Sequence, residues 1–123
     1  MPKQQKEQII KSKQRVKDLA EVFTPTHIVK DMCDLIPEEV WNNIESTFLE
    51  PACGNGNFLA EIFARKLANC KNERDGLKAL SSIVGIDIQV DNCEESRKRL
   101  MKQFCEAFPN ANEATILIAA GIL

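Results

Sequence analysis

Glu50-Pro51-Ala52-Cys53-Gly54-Asn55-Gly56-Asn57-Phe58-Leu59 is the stretch whose reading decides the fold. Thr47 to Glu50 leads into it as a short apolar strand that ends on an acid. Gly54 and Gly56 lack a Cβ, so the backbone there can turn sharply and approach another group closely. From Asn57 to about Asn69 the apolar residues Phe58, Leu59, Ile62, Phe63 and Leu67 recur at helical spacing. Strand, acid, glycine loop and helix in that order build a ligand cradle, because the helix N-terminus offers unpaired N–H groups and partial positive charge.

Downstream, Ser82-Ile83-Val84-Gly85-Ile86-Asp87-Ile88 reads as a second strand, again ending at an acid. Val90 to Phe108 reads as a long helix, with Cys93, Arg97, Leu100, Met101, Phe104 and Phe108 spaced for one face. Between the Asn57–Asn69 helix and this strand, Lys71 to Gly76 reads as loop and Leu77 to Leu80 as a helical turn. Thr115 to Ala119 reads as a third strand. Upstream, Lys3 to Ala20 has helix-forming composition, and Val22-Phe23-Thr24-Pro25 breaks it, since Pro25 disfavours helix for Thr24. Thr26 is placed to cap a helix from His27 to Leu35. Pro37 starts a short helix through Trp41 and Ile44.

Strands alternating with helices imply right-handed crossovers and a parallel sheet. The fold class expected is α/β, a partial doubly wound sheet of about three strands in the order 3-2-1, with an N-terminal helical extension. Residues 1–21 form a basic helical arm, and residues 22–123 form the cradle domain. Ligands of such sheets sit outside the carboxyl ends of the strands, where Glu50 and Asp87 fall. Asp87 is placed to accept hydrogen bonds from a ribose diol, and Ile88 to pack on a base.

No Gly-Lys-Ser/Thr follows the glycines, which excludes a P-loop. Leu59 stands where a dinucleotide fingerprint needs its third glycine, and Glu50 would repel a pyrophosphate, so an NAD-type half-domain ranks low. A carboxylate beside the loop suits a ligand with a cationic end. S-adenosylmethionine has an ammonium and a sulfonium, plus one carboxylate for the helix N-terminus.

The loop resembles motif I of the S-adenosylmethionine-dependent DNA methyltransferases that modify adenine N6, of restriction–modification type. Val22-Phe23-Thr24-Pro25 is similar to that family's upstream Phe/Tyr-Thr-Pro element, and Gly85-Ile86-Asp87-Ile88 to its ribose-binding motif. The resemblance implies a Rossmann-like class I methyltransferase fold and S-adenosylmethionine as cofactor. The cofactor-binding residues would be Phe23, Thr24, Pro25, Glu50, Pro51, Ala52, Cys53, Gly54, Gly56, Asn57, Phe58, Asp87 and Ile88.

The family's catalytic Asn/Asp-Pro-Pro-Tyr/Phe motif, which presents a flipped base, has no counterpart in these residues, which contain no Pro-Pro and no Tyr. Ile118-Ala119-Ala120-Gly121-Ile122 also lacks the acid that the family often carries near its third strand. No catalytic residue is therefore assigned. The expectation is a truncated cofactor-binding domain, inactive alone, that is a homodimer or awaits a catalytic partner chain. A sheet that stops after three strands leaves strand one as an open edge. The alternative is a non-catalytic DNA-binding or interaction module with a vestigial loop.

Net charge is −2, but Lys3, Lys6, Lys11, Lys13, Arg15 and Lys17 crowd the first segment. They could neutralise DNA phosphates or simply form a solvated helix face. The five cysteines form no C-x-x-C pair and there is one histidine, which argues against a metal site and for a reducing, cytoplasmic setting. No apolar run approaches membrane-spanning length, so no membrane partner is expected.

Overall fold

The computed structural model describes residues 7–123. Lys3 and Lys6 of the basic arm lie outside the described residues. Within them, the helix expected from Lys3 to Ala20 is cut to its later part, Lys13–Leu19, because residues 7–12 are not helical and Ser12 caps the helix by accepting from Arg15 N–H at 3.0 Å. The elements run α1 (Lys13–Leu19), α2 (Thr26–Asp34), α3 (Glu38–Asn42), β1 (Phe48–Glu50), α4 (Asn57–Leu67), α5 (Glu73–Ser81), β2 (Ile83–Gly85), α6 (Val90–Ala107) and α7 (Glu113–Ile122). The chain is mixed α/β and mostly helical, with β1 and β2 pairing in parallel in a two-stranded sheet. Phe48 faces Ile83, Leu49 faces Val84 and Glu50 faces Gly85. Pairing runs on past the formal strand ends, with Ile86 N–H donating to Glu50 O and Cys53 N–H donating to Ile86 O, both at 2.9 Å.

α4 is the central helix because its apolar residues point two ways. Leu59 and Phe63 join Leu80, Leu100 and Phe104 in one cluster, contributed by α4, α5 and α6. Ile62 joins Val29, Cys33 and Trp41 in another, with Phe48 packed against it. Trp41 is core, stacked on Phe48 at 5.1 Å between ring centroids. Lys66, on the same helix, is fully buried. Its ammonium donates to Ile44 O at 2.8 Å and Ser46 O at 2.5 Å, and so fixes the turn that enters β1. Burial pushes its pKa below the ordinary lysine value.

Three further expectations are corrected. Thr115 to Ala119 is not a third strand but the middle of α7. Asn112 caps that helix by accepting from Thr115 N–H at 2.9 Å, Glu113 suits its first turn, and the alanines favour helix. A short apolar run cannot be assigned by periodicity alone. The sheet is thus two-stranded, and the 3-2-1 order reduces to the β1–β2 neighbour relation.

Second, the supposed loop from Lys71 to Gly76 holds the first four residues of α5, which continues through the expected helical turn to Ser81. Asn72 caps it through Asp75 N–H at 2.9 Å. Gly76 sits inside it because Phe108 and Phe104 occupy the space a Cβ would need. Third, Thr26 begins α2 instead of capping it. Pro25 is the cap residue, while Thr26 N–H and hydroxyl both donate to the Glu7 carboxylate, lowering its pKa.

α6 matches its expected span, yet its buried face is rotated. Leu100 and Phe104 are buried as expected, but Asn92 and Ser96 are buried in place of Cys93 and Arg97. One face of the sheet is bare, with Leu49, Val84 and Ile86 each at least half exposed. No described helix is long and apolar enough to cross a membrane.

Candidate functional site

The loop between β1 and α4 takes its shape from its two glycines. Gly54 has φ 53° and Gly56 has φ 92°, both in the left-handed region. Their missing Cβ atoms are also needed for space. A Cβ on Gly54 would lie 2.9 Å from Phe23 Cδ1, and one on Gly56 would lie 2.8 Å from Ser96 Oγ. The loop is therefore clasped between the Phe23 ring and α6. Phe23 is 6% exposed, a depth reached because Gly54 offers it a flat surface.

Side chains lock this contact. Asn57, the first residue of α4, donates from Nδ2 to Thr24 O at 2.8 Å. Its Oδ1 accepts from Arg99 Nη1 at 2.8 Å, and the same nitrogen donates to Asn55 O at 3.0 Å. Arg99 thus fixes which way the Asn57 amide points. Ser96 Oγ donates to Gly54 O at 3.3 Å.

Asp87 lies two residues beyond β2 and serves the loop directly. Its Oδ2 accepts from Gly54 N–H at 3.1 Å, and its Oδ1 from Gln89 N–H at 2.8 Å and Asn92 Nδ2 at 3.2 Å. It joins the second strand's end to the glycine loop and starts α6. Glu50 is half-buried and accepts from Ala52 N–H at 3.1 Å through Oε1. Its second oxygen has no partner among the described residues. Cys53 is buried, and burial pushes its thiol pKa up, so it is a packing residue.

These elements enclose a cavity of about 410 Å³, within the usual size of small-molecule sites. Eleven of the thirteen residues expected at the site line it. Phe23 and Thr24 come from upstream, Glu50 to Gly54 from the loop, Asn57 and Phe58 from α4, and Asp87 and Ile88 from beyond β2. Pro25 and Gly56 do not line it. Pro25 O instead accepts from Ile28 and Val29 N–H at the start of α2, and Gly56 sits behind the loop against Ser96. Ile88 stands at the rim, 81% exposed.

The sequence reading missed the outer wall, Leu19 to Val22, together with Asn55 and Gln89. Glu21 is the charged residue there. It pairs with Arg15 at 2.7 Å and accepts from Asn92 Nδ2 at 2.9 Å. The lining holds three carboxylates, Glu21, Glu50 and Asp87, and no Lys, Arg or His.

Two cations of the expected DNA-binding arm are engaged within the chain. Lys11 pairs with Asp91 at 2.9 Å and Glu95 at 3.0 Å, and Arg15 pairs with Asp91 at 2.6 Å. Arg15, then Lys11, hold Asp91 well below the usual carboxylate range. Lys13 and Lys17 face solvent. No cluster of metal-ligating side chains occurs among the described residues.

Over 83 residues, 68% of its length, the chain is 36% identical to the type II methyltransferase M.VspI of Vibrio sp. (strain 343). The chain is related to a methyltransferase. It spans 17% of that relative's length. No family model matches the chain. No solved structure matches it.

Proposed function

We propose that this chain is the S-adenosylmethionine-binding portion of a DNA adenine-N6 methyltransferase, which holds the methyl donor without itself presenting the acceptor. The observation that carries this reading is the charge of the cavity: Glu50 and Asp87 without a cationic partner among the described residues, a third carboxylate paired with Arg15, and no basic side chain in the lining, beside the N-terminus of α4. Pyrophosphate ligands are disfavoured in such a lining, whereas a sulfonium and an ammonium are favoured. The donor's single carboxylate finds the free N–H groups at the start of α4. Glu50, with an oxygen to spare, is the acceptor for the ammonium. Asp87 keeps lone pairs for a ribose hydroxyl while its backbone partners hold it in place. The relationship to a type II methyltransferase supports the same reading.

When bound, the donor would supply an electrophilic methyl group. The chain's own residues would bind and orient it. No Asn/Asp-Pro-Pro-Tyr sequence is present to accept hydrogen bonds from an adenine amine, so methyl transfer by this chain alone is not expected.

Titration calorimetry with S-adenosylmethionine and S-adenosylhomocysteine tests the reading. Binding is expected, with Asp87→Ala at least about tenfold weaker. A folded sample that gives no heat with either ligand would refute it. Incorporation of labelled methyl groups into DNA by the isolated chain would refute the inactive form of the proposal.

A further inference from the structure

The cavity's two walls are fastened differently. The inner end of the outer wall, Phe23 and Thr24, is held by burial and by the Asn57 amide. Its outer end emerges from α1 through Ala20, whose φ of 51° reverses the chain. α1 has no fully buried residue, so no core side chain anchors that end.

One guanidinium takes over this role. Arg15 donates from Nη1 and Nη2 to the two oxygens of Asp91, at 2.6 and 3.1 Å. It reaches Glu21 through Nη2 at 2.9 Å and Nε at 2.7 Å. The planar fork thereby bridges a carboxylate of the wall and a carboxylate of α6. Asn92, fully buried, carries the connection inward by donating to both Glu21 and Asp87. Lys11 adds charge on the α6 side at Asp91 and Glu95. Without Arg15, Glu21 would face Asp91 and Asp87 with no counter-ion of its own on the wall.

We propose that Arg15 is the positioning residue for the outer wall, an ionic latch that holds Leu19 to Val22 closed over the cavity. As far as ligand is concerned, the inference rests on the reading of the cavity as a donor site. The latch itself can be tested without ligand. The Asp91 partner of Arg15 is 50% exposed, so solvent ions reach that side of the latch and added salt loosens it there first.

The full chain is compared with Arg15→Gln, Arg15→Lys and Asp91→Asn. Trypsin cleavage after Lys17, followed by mass spectrometry, reads wall opening in the absence of ligand. Arg15→Gln and Asp91→Asn are expected to be cut about tenfold faster than the parent, with unfolding midpoints unchanged. Arg15→Lys, which keeps the charge and loses the fork, should fall between. With S-adenosylhomocysteine, the parent's affinity should drop between about 50 and about 500 mM NaCl, and Arg15→Gln should show a weaker affinity and a flatter salt response. Cleavage at the parental rate, or a midpoint lowered in step with faster cleavage, would overturn the latch. Faster cleavage with no ligand heat from the parent would support the latch and refute the donor-site reading.

Discussion

The inner and outer walls of the cavity solve the same problem by opposite means. The inner wall is a glycine loop pinned by backbone hydrogen bonds, a phenylalanine ring and a serine, with the core directly behind it. The outer wall hangs from a helix without buried residues and is fixed by carboxylates around one arginine. A wall built on packing is part of folding and insensitive to salt. A wall held by part-buried ion pairs adds little net stability, because the cost of taking its charges out of water offsets most of their attraction. It can therefore move without unfolding the protein.

The sharpest test is in the inner wall. Gly56→Ala would place a Cβ 2.8 Å from Ser96 Oγ and 3.2 Å from Ser96 Cα, at φ 92°. A loss of about 3 kcal/mol is expected, read as a lower denaturation midpoint. A variant of parental stability would mean that the loop is looser than this contrast allows.

Next comes the foundation of that wall. Lys66→Met should cost about 2 kcal/mol, because Ile44 O and Ser46 O lose their buried donor. Its pH response is distinctive. The folded-state pKa of Lys66 lies below the unfolded value, so the unfolded chain binds the proton more strongly between the two. The penalty is present at neutral pH and relieved as pH rises through the folded pKa, so parental stability should rise with pH there. Lys66→Met should lack that rise in urea denaturation curves.

The smallest effect belongs to the outer wall. Raising NaCl from about 50 to about 500 mM should leave the parent's thermal midpoint essentially unmoved while ligand affinity falls. A midpoint that tracks salt would place the ion pairs in the stability of the fold and erase the contrast.

The same division explains what could be read from sequence. The inner wall was legible because local rules govern it. Glycines mark left-handed turns, an acid follows each strand, and the Phe23-Thr24 turn comes to the loop through the space left at Gly54. The β1–β2 pairing was legible for the same reason. The outer wall was not, since nothing in the arm shows that Arg15 would meet Asp91, 76 positions away. Lysines and arginines there suit phosphates equally well on paper. α6 was misphased for a related reason. Asn92 and Ser96 are buried because they serve Glu21, Asp87 and the loop, and polar residues on an inward face hide its periodicity. The first turn of α5 was missed because its polar residues looked like a loop, and α7 was missed because its apolar, β-branched run looked like a strand.

The bare sheet face has a practical consequence. Leu49, Val84 and Ile86 give the native protein an apolar surface of the kind that fluorescent dyes such as ANS report. Dye fluorescence is usually taken as a sign of lost tertiary packing. Here a dye signal from the fully native chain is expected, and dye-based melting curves would start from a high baseline. Trp41, 8% exposed and stacked on Phe48, is the better optical probe of whether the core is intact.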